Sequence, residues 1–308
     1  MSNRRPRKRP QPVQKPEPEP ARRRNVLHLL RRPRVWVTTA VTAVLIAAGV
    51  VVRDIAVSEL INKDAVADQI RTAEGKPAIQ VVRVERFKLL DENQVFARPD
   101  GYTLSGSDEN RVADLFSDHA IDVIDRAETV GVPVEIATWR LYLRGNRNQS
   151  VRILDIRPVN LHRNPPAGGT LFDVPPQGGE QTELMGIDVD TPQPVARSMH
   201  VTSGGIGTYV YGGPYFAEKT IKLSDREDQI IMFRAVTRKY DASFSLEIDY
   251  QLGDQKLTTT VDNNGQPFRV TGLACRNGRL DYAHYYSLQS GKTYGIYPTN
   301  PDDGDFCR

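Results

Sequence analysis

An uninterrupted apolar run near the N-terminus constrains this chain more than any other feature. The stretch VWVTTAVTAVLIAAGVVV at residues 35–52 holds no charged residue, and its only polar members are threonines. At a rise of about 1.5 Å per residue, a helix of this length covers roughly 27 Å, close to the hydrocarbon thickness of a bilayer. Arg34 and Arg53 bracket the run, and Trp36 lies where an interfacial aromatic is expected. The run predicts one transmembrane helix.

The charges on the two sides of this run predict its orientation. Residues 1–34 carry ten Arg and two Lys against two Glu, a net charge of +10, whereas the part after residue 52 carries 29 basic and 36 acidic residues, a net charge of −7. The positive-inside rule therefore places the N-terminus in the cytoplasm and the C-terminal part outside the plasma membrane. A cleaved signal peptide is disfavoured because a 34-residue basic region is too long for one. A twin-arginine signal is disfavoured because Pro33-Arg34 follows Arg31-Arg32. We expect an uncleaved, single-pass signal anchor.

The basic tail at residues 1–34 is rich in proline and nearly free of apolar side chains before Val26. Such a segment cannot bury enough surface to fold, so we expect disorder with polyproline II character. Its charges are expected to attract anionic lipid headgroups. No nucleic-acid-reading motif fits in so short a segment, so specific nucleic-acid binding is not expected. Docking of QPVQKPEPEP on a cytoplasmic partner, which would make the protein a transmembrane signalling component, is an open alternative.

The remainder divides at a change of sequence character. Residues 53–77 have scattered apolar positions among charges and end at Gly75-Lys76-Pro77, which predicts a membrane-proximal helical stalk. Over 78–308, segments rich in β-branched and aromatic residues alternate with Gly, Pro, Asn and Asp clusters, as in a mainly β region. The predicted strands are 79–88, 134–144, 151–163, 184–189, 217–223, 229–237, 243–250, 256–262, 267–274 and 281–287.

Local patterns refine this assignment. SFSLEIDY at 243–250 alternates apolar and polar residues as a half-buried antiparallel strand does, and Asn264-Gly265 predicts a hairpin. The fold class expected is an extracytoplasmic β-sandwich with one amphipathic helix. It is either one sandwich or two smaller units, with an immunoglobulin-like arrangement as one form, and the loop around 164–182 is the candidate boundary between two units.

One amphipathic helix interrupts the strands. Apolar residues from Val112 to Ala127 follow helical spacing, Ser107 or Asp108 can cap the start, and Gly131 ends the helix. This spacing places His119 on the apolar face, where a core histidine is more common than a catalytic base.

The two cysteines, Cys275 and Cys307, both lie in the part predicted to be extracytoplasmic. An even pair in an oxidising compartment predicts a disulfide. Two free thiols or a metal site is the alternative, although no Cys-x-x-Cys or neighbouring His pair supports a metal.

The sequence contains no motif that identifies a reaction. Gly-x-Ser-x-Gly, His-Glu-x-x-His, Gly-x-x-x-x-Gly-Lys-Ser/Thr and Ser-x-x-Lys are all missing, so no catalytic, cofactor-binding or metal-binding residue is predicted. Two groups of acidic residues are candidate sites. Asp188 and Asp190 could act as paired carboxylates, and Asp302, Asp303 and Asp305 could bind calcium. A solvent-facing strand end and a solvated turn are the better interpretations of them.

Two aromatic patches, at 203–216 and 282–297, form a candidate binding surface. Aromatic side chains on loops can stack on sugars or contact peptides over a large, rigid area. The alternative is that these tyrosines are strand residues with half-buried rings. The candidate residues are Tyr209, Tyr211, Tyr215, Tyr285, Tyr286 and Tyr294.

The basic, proline-rich tail, the short anchor, the strand WRLYLRGNRNQSVRILDIR and the later NNGQPFRVTG together resemble a group of uncharacterised single-pass membrane proteins of actinobacteria. That resemblance implies a location and a β-rich exterior domain, because the group has no assigned activity. We expect a non-enzymatic envelope protein that binds another envelope protein or a cell-wall component. The alternatives are an envelope hydrolase or transferase with a site assembled from distant residues, and the signalling component described above.

Overall fold

The computed structural model describes residues 63–87, 94–115, 117–174, 184–201, 209–290, 294–300 and 307. The predicted membrane helix at 35–52 and the basic tail lie outside these residues. Within the described ranges, no helix combines the length and the apolar character needed to cross a bilayer. The described residues from Ala67 onward belong to one compact unit. With 54% strand against 15% helix, the mainly β class is confirmed.

The elements of the described residues follow in chain order. The helices are α1 (Lys63–Ala73), α2 (Gly106–Val112), α3 (Asp118–Val130) and α4 (Tyr215–Glu218). The strands of the first half are β1 (Ile79–Arg86), β2 (Gln94–Arg98), β3 (Val132–Pro133), β4 (Ile136–Gly145), β5 (Val151–Asn164), β6 (Thr170–Val174), β7 (Leu184–Asp188), β8 (Ala196–Val201) and β9 (Tyr209–Pro214). The later strands are β10 (Ile221–Leu223), β11 (Asp228–Val236), β12 (Asp241–Leu252), β13 (Gln255–Val261), β14 (Phe268–Thr271), β15 (Cys275–Arg276), β16 (Arg279–Leu280), β17 (His284–Ser290) and β18 (Tyr294–Pro298).

Two large sheets share the main core. One has six strands in the order β1-β4-β11-β7-β8-β9, and the other has the order β10-β5-β12-β13, with β14 also paired to β12. Neighbouring strands are antiparallel except β11 and β7, where Phe233 is aligned with Met185. Aromatic contacts join the sheets, because Phe268 of β14 meets the ring of Trp139 of β4 at 5.2 Å. Trp139 in turn stacks on Phe233 at 5.0 Å.

The predicted alternation in 243–250 is confirmed by β12. Phe244, Leu246 and Ile248 are buried in the core between the two sheets. Glu247 and Asp249 point the other way and both form ion pairs with Arg157 of β5. One face of this strand is therefore dry and the other solvated, as the period of two requires.

A third sheet, β18-β17-β6-β2-β3, carries the helices. Phe172 of β6 lies in a stack of three rings, 4.7 Å from Phe96 of β2 and 5.1 Å from Tyr286 of β17. Val123 and Ile124 of α3 pack on the same cluster. The helices α2 and α3 thus cover one face of the third sheet. They do not belong to the core shared by the two large sheets.

The prediction of one continuous helix was wrong, because two helices replace it. The hydroxyl of Ser117 donates to the carbonyl of Asp114 at 2.7 Å and accepts from the backbone N–H of Ala120 at 3.3 Å, so it caps a new helix at α3. The break rotates α3 relative to the uninterrupted pattern. His119 is consequently exposed rather than on the apolar face. The predicted end at Gly131 is confirmed.

The predicted Asn264-Gly265 turn forms, with φ of 56° and 85°, and an antiparallel bridge between Asn263 and Gln266 closes it. The hairpin goes no further, because β13 and β14 do not pair with each other. The β13 and β14 strands both pair with β12, one along its second half and one along its first. The turn therefore connects two consecutive stretches on the same side of β12. The Asn264 side chain donates to the carbonyl of Val84 at 3.1 Å, which ties the turn to the other sheet.

The described part of the predicted stalk, α1, contacts the β domain. Arg71 pairs with Asp225 at 2.7 Å, and the backbone N–H of Asn148 donates to Asp68 at 2.9 Å. The buried guanidinium of Arg147 donates to the carbonyl of Lys76 at 2.5 Å. From Asp68 onward the segment is thus bound to the β domain rather than free-standing.

The predicted disulfide is present. Cys275 of the β15–β16 hairpin is bonded to Cys307, with the Cα atoms 5.9 Å apart. The bond ties Cys307 back to β15, the strand that follows β14.

Candidate functional site

The structure separates the six predicted surface tyrosines. Tyr285 and Tyr286 are neighbours on β17 and point to opposite faces, yet both are buried, at 5% and 4% exposure. The Tyr286 hydroxyl accepts from the backbone N–H of Leu104 at 3.2 Å, and the Tyr285 hydroxyl donates to Asp173 at 3.1 Å. For these two residues the surface prediction was wrong, because the third sheet is covered on both faces at β17.

Two other predicted tyrosines lie elsewhere. Tyr215 is on α4, where its ring packs against Phe216 at 5.2 Å and lies 5.0 Å from the ammonium of Lys219. It is half-buried against the main core. Tyr294 is the first residue of β18, and its side chain lies outside the described part of the chain.

The structure does bring Tyr209 and Tyr211 together on β9. Their ring centroids are 5.8 Å apart at an interplanar angle of 75°. Both rings are half-buried on the face of the six-stranded sheet that points away from the main core. We call this cluster the tyrosine face, and its members are Leu184, Met199, Tyr209, Tyr211, Met232 and Val236.

The sequence reasoning missed the members of the tyrosine face on β7, β8 and β11. Leu184 of β7 faces outward because its neighbour Met185 faces the main core, and Met232 of β11 does so because Phe233 faces the core. Period-two alternation in the 229–237 segment was the available signal. That signal shows that two faces exist, but not that the outer one lies beside β9.

A glycine makes room for the aromatic rings. A Cβ on Gly186 would lie 2.8 Å from Cε1 of Tyr211, 2.8 Å from Sδ of Met199 and 3.0 Å from Cβ of Met199. Those separations are shorter than carbon contacts allow, so only glycine lets the ring and the thioether lie flat on β7.

Charged residues border the tyrosine face. The Asp190 carboxylate accepts from the Thr237 hydroxyl at 2.6 Å and from the backbone N–H of Arg238 at 2.7 Å. Asp188 accepts from the backbone N–H of Asp190 at 3.0 Å. Asp188 and Asp190 are therefore not free paired carboxylates, because they hold the turn after β7 against the end of β11.

Glu135 joins this border from the connection between β3 and β4. Its φ is +62°, which is unusual for a residue with a Cβ. Its N–H donates to the carbonyl of Thr271 at 2.6 Å, and its carbonyl accepts from the N–H of Thr237 at 3.0 Å, so the surrounding strands fix this conformation. Burial raises the pKa of the Glu135 carboxyl, and Arg238 partly opposes that rise.

The tyrosine hydroxyls are also perturbed. Burial raises the pKa of Tyr211, and the charge of Asp188 raises it further. Burial likewise raises the pKa of Tyr209, whereas Arg238 lowers it. Within the part of the chain described, the Tyr211 hydroxyl is buried and has no hydrogen-bond partner. A buried hydroxyl without a partner costs free energy, so this oxygen is an unsatisfied polar group within the tyrosine face.

Across the described residues, no three His, Cys, Asp or Glu side chains gather as a metal site requires. The candidate calcium ligands lie outside those residues; they are Asp302, Asp303 and Asp305. No known protein family, curated protein or solved structure matches this chain.

Proposed function

We propose that this chain is a non-enzymatic binding protein of the cell envelope, whose exterior β domain holds another envelope protein or a wall component on the tyrosine face. The observation that carries the proposal is a cluster of aromatic and thioether side chains on the outer face of a sheet. Tyrosines supply large rigid contact area together with a polar group, a combination common at binding surfaces.

The location in this proposal rests on the amino-acid sequence. The uncharged run at 35–52 supports a single-pass signal anchor, and the charges of +10 before it and −7 after it support a cytoplasmic tail and an extracellular domain. The tail would lie on anionic lipid headgroups. The disulfide between Cys275 and Cys307 agrees with an oxidising compartment. The resemblance to actinobacterial single-pass proteins belongs to the same proposal.

The finer fold assignment is also part of the proposal. The side chains of the six-stranded sheet and of the sheet around β12 enter one core, which supports a β-sandwich. An immunoglobulin-like arrangement of its strands is one form of this proposed sandwich. In this view the sandwich is a rigid support, and the outer face near β9 is where contact with a partner is made.

Site-specific photo-crosslinking in intact cells tests the proposed contact. A photoreactive amino acid at position 211 of the full-length chain should give discrete crosslinked products. The matched control is position 257, because Leu257 is an exposed apolar strand residue on the other sheet, 37% accessible. Products of equal yield and composition at 211 and 257 would contradict the proposal.

The hydroxyl is tested separately. Tyr211→Phe removes only the oxygen, which is buried and lacks a partner among the described residues of the free chain. A several-fold loss of crosslinking from a probe at position 232 would show that binding uncovers this oxygen and bonds to it. Tyr142→Phe is the control, because the Tyr142 hydroxyl already donates to Glu85 at 2.9 Å. The control should leave the yield unchanged.

Topology is tested with a protease added outside intact spheroplasts. A tag at the C-terminus should be removed, whereas a tag at the N-terminus should persist until the membrane is opened. A mature protein that begins near residue 50 would contradict the anchor.

A further inference from the structure

The strand β9 forms one end of the six-stranded sheet. Its inner side pairs with β8, where Met199 is aligned with Tyr211 and Val201 with Tyr209. Among the residues that the structure describes, no strand pairs with its outer side. The backbone N–H and C=O groups on that side are therefore positioned to pair with an additional strand.

The other edges of the two large sheets carry the features that block such pairing. The β1 edge has a bulge between Val81 and Arg83 and further charges near its end. The β13 edge carries Lys256, and the β10 edge has only three residues, one of them Lys222. Bulges, charges and short strands are the ordinary means by which an edge avoids pairing.

The β9 edge has none of those features from Tyr209 to Tyr211, because its one register shift against β8 falls between Tyr211 and Pro214. Its sequence, YVYGGP, holds no charged residue. Val210 points to the side of the sheet opposite the two tyrosines and is 56% exposed. An uncharged strand with an exposed β-branched residue favours pairing with another strand.

The same sequence indicates what that strand is. Tyr209-Val210-Tyr211 reads the same in both directions about Val210. A two-fold axis through Val210 would place each Tyr209 opposite the partner's Tyr211 and the two valines opposite each other, as an antiparallel pair requires. The three residues from Tyr209 to Tyr211 carry no charge, so no like-charge repulsion opposes pairing along them. The Arg197 guanidinium lies beyond them, on the carbonyl of Gly212.

We propose that β9 pairs antiparallel with the β9 strand of a second copy of this chain, which joins two six-stranded sheets into one continuous sheet across a two-fold axis. The two tyrosine faces then become neighbours on one side of that sheet. Aromatic side chains on facing strands stabilise strand pairing.

A contact limited to one strand edge buries less than the roughly 1,000 Å² expected of a stable interface in solution. The pairing is therefore expected to depend on confinement of the chains in a membrane, which raises their effective concentration. In this respect the inference rests on the proposed anchor. It does not depend on which molecule the tyrosine face binds.

Cysteine crosslinking in membranes tests the pairing. In the full-length Val210→Cys variant, the two introduced side chains would lie directly opposite each other, with Cβ atoms about 4.5–5.5 Å apart. Mild oxidation should therefore give a disulfide-linked dimer that reductant reverses. The native cysteines do not compete, because Cys275 and Cys307 are bonded to each other. Leu257→Cys is the matched control.

A dimer yield at position 210 at least five-fold above that at position 257 would support the inference, and equal yields would overturn it. Co-purification of two differently tagged copies gives a second measurement, in which Val210→Lys should reduce recovery and Leu257→Lys should not. Fractionation of the same samples shows whether the chain is in the membrane. Photo-crosslinking at position 211 separates the proposed function from the strand pairing. A crosslink to a different protein, without a disulfide-linked dimer at position 210, would support only the proposed function. The dimer at position 210 without such a crosslink would support only the pairing.

Discussion

The ring of Tyr211 lies directly over Gly186, so close that a Cβ on the glycine would lie 2.8 Å from Cε1 of the ring. The substitution Gly186→Ala must displace both the ring and the side chain of Met199. Such overpacking costs about 1–3 kcal/mol, and we expect a loss of that size in the free energy of unfolding. Urea denaturation of the purified chain measures it. Gly106→Ala is the control, because a Cβ there meets nothing within 4 Å. A Gly186→Ala variant as stable as the control variant would mean that the ring is not held against β7.

The disulfide should contribute measurably to stability. It joins residues separated by 32 positions, and in the chain-entropy model a loop of that length is worth roughly 3–4 kcal/mol. We expect the double variant Cys275→Ser with Cys307→Ser to lose that amount in denaturant titrations. Added reductant should bring the wild-type chain to the same stability and leave the variant unaffected. A reductant effect of equal size in both proteins would contradict this assignment.

The ion pair between Arg86 and Glu128 links β1 to the end of α3. The Arg86 Nη2 lies 3.2 Å from Oε1 of Glu128, whose side chain is only 3% exposed. Burial lowers the pKa of Arg86, and Glu128 opposes that effect. Glu128→Ala leaves the arginine charge without its carboxylate, so we expect a loss of roughly 2–3 kcal/mol, since Arg86 keeps a hydrogen bond to the carbonyl of residue 128.

The matched control for that variant is Asp228→Ala, which breaks an exposed pair with Arg144. An exposed pair is screened by solvent, so the control should change thermal stability little. Equal losses of stability in the two variants would contradict the prediction that the buried ion pair contributes more than the exposed one.

Asp173 should make stability depend on pH. Burial raises its pKa above the ordinary 3.8, and the hydrogen bond from Tyr285 opposes the rise. The native state therefore holds a proton over a pH window that begins near 3.8 and extends upward, where the unfolded chain has already released it. Because the native state binds more protons in that window, stability falls as pH rises through it.

The substitution Asp173→Asn removes this ionisation and keeps an oxygen that can accept from Tyr285. We expect the variant to be more stable than the wild type at pH 7, with the difference shrinking as the pH is lowered toward 3.8. Denaturant titrations at both pH values measure the difference. Asp254→Asn, in the exposed turn between β12 and β13, is the control. A pH-independent gain would contradict the role of Asp173 ionisation.

Much of the larger sheet pair could be predicted from single segments of sequence. The strands β1, β5, β11 and β12 are long runs of β-branched and aromatic residues, so their periodicity is visible without knowledge of their partners. The short strands β2, β6, β8 and β18 were missed, because a run of five or six residues beside glycine or proline resembles a loop. The predicted strand 217–223 was half wrong, because α4 takes its first part, with Pro214 at the N-cap.

The tyrosine face could be predicted only in part. Tyr209 and Tyr211 stand out in the sequence, but their neighbours come from three other strands. The parallel pairing of β7 with β11 is long-range and is not signalled by any turn. The burial of Tyr285 and Tyr286 was missed for a related reason. The residues that contact their hydroxyls, Asp173 and Leu104, lie 112 and 182 positions earlier in the chain.

The order of the third sheet determines when this domain can finish folding. The strand β6 lies between β2 and β17, and His284 of β17 is aligned with Thr170 of β6. As the chain is synthesised from its N-terminus, Leu171 and Phe172 emerge more than a hundred residues before β17, with which β6 pairs. Until β17 is made, the edge of β6 that pairs with it has no partner strand. Contacts so distant in sequence form slowly, and an unpaired strand edge favours aggregation. The third sheet therefore cannot close until β17 has been made, and a chain cut before His284 would leave this edge of β6 unpaired.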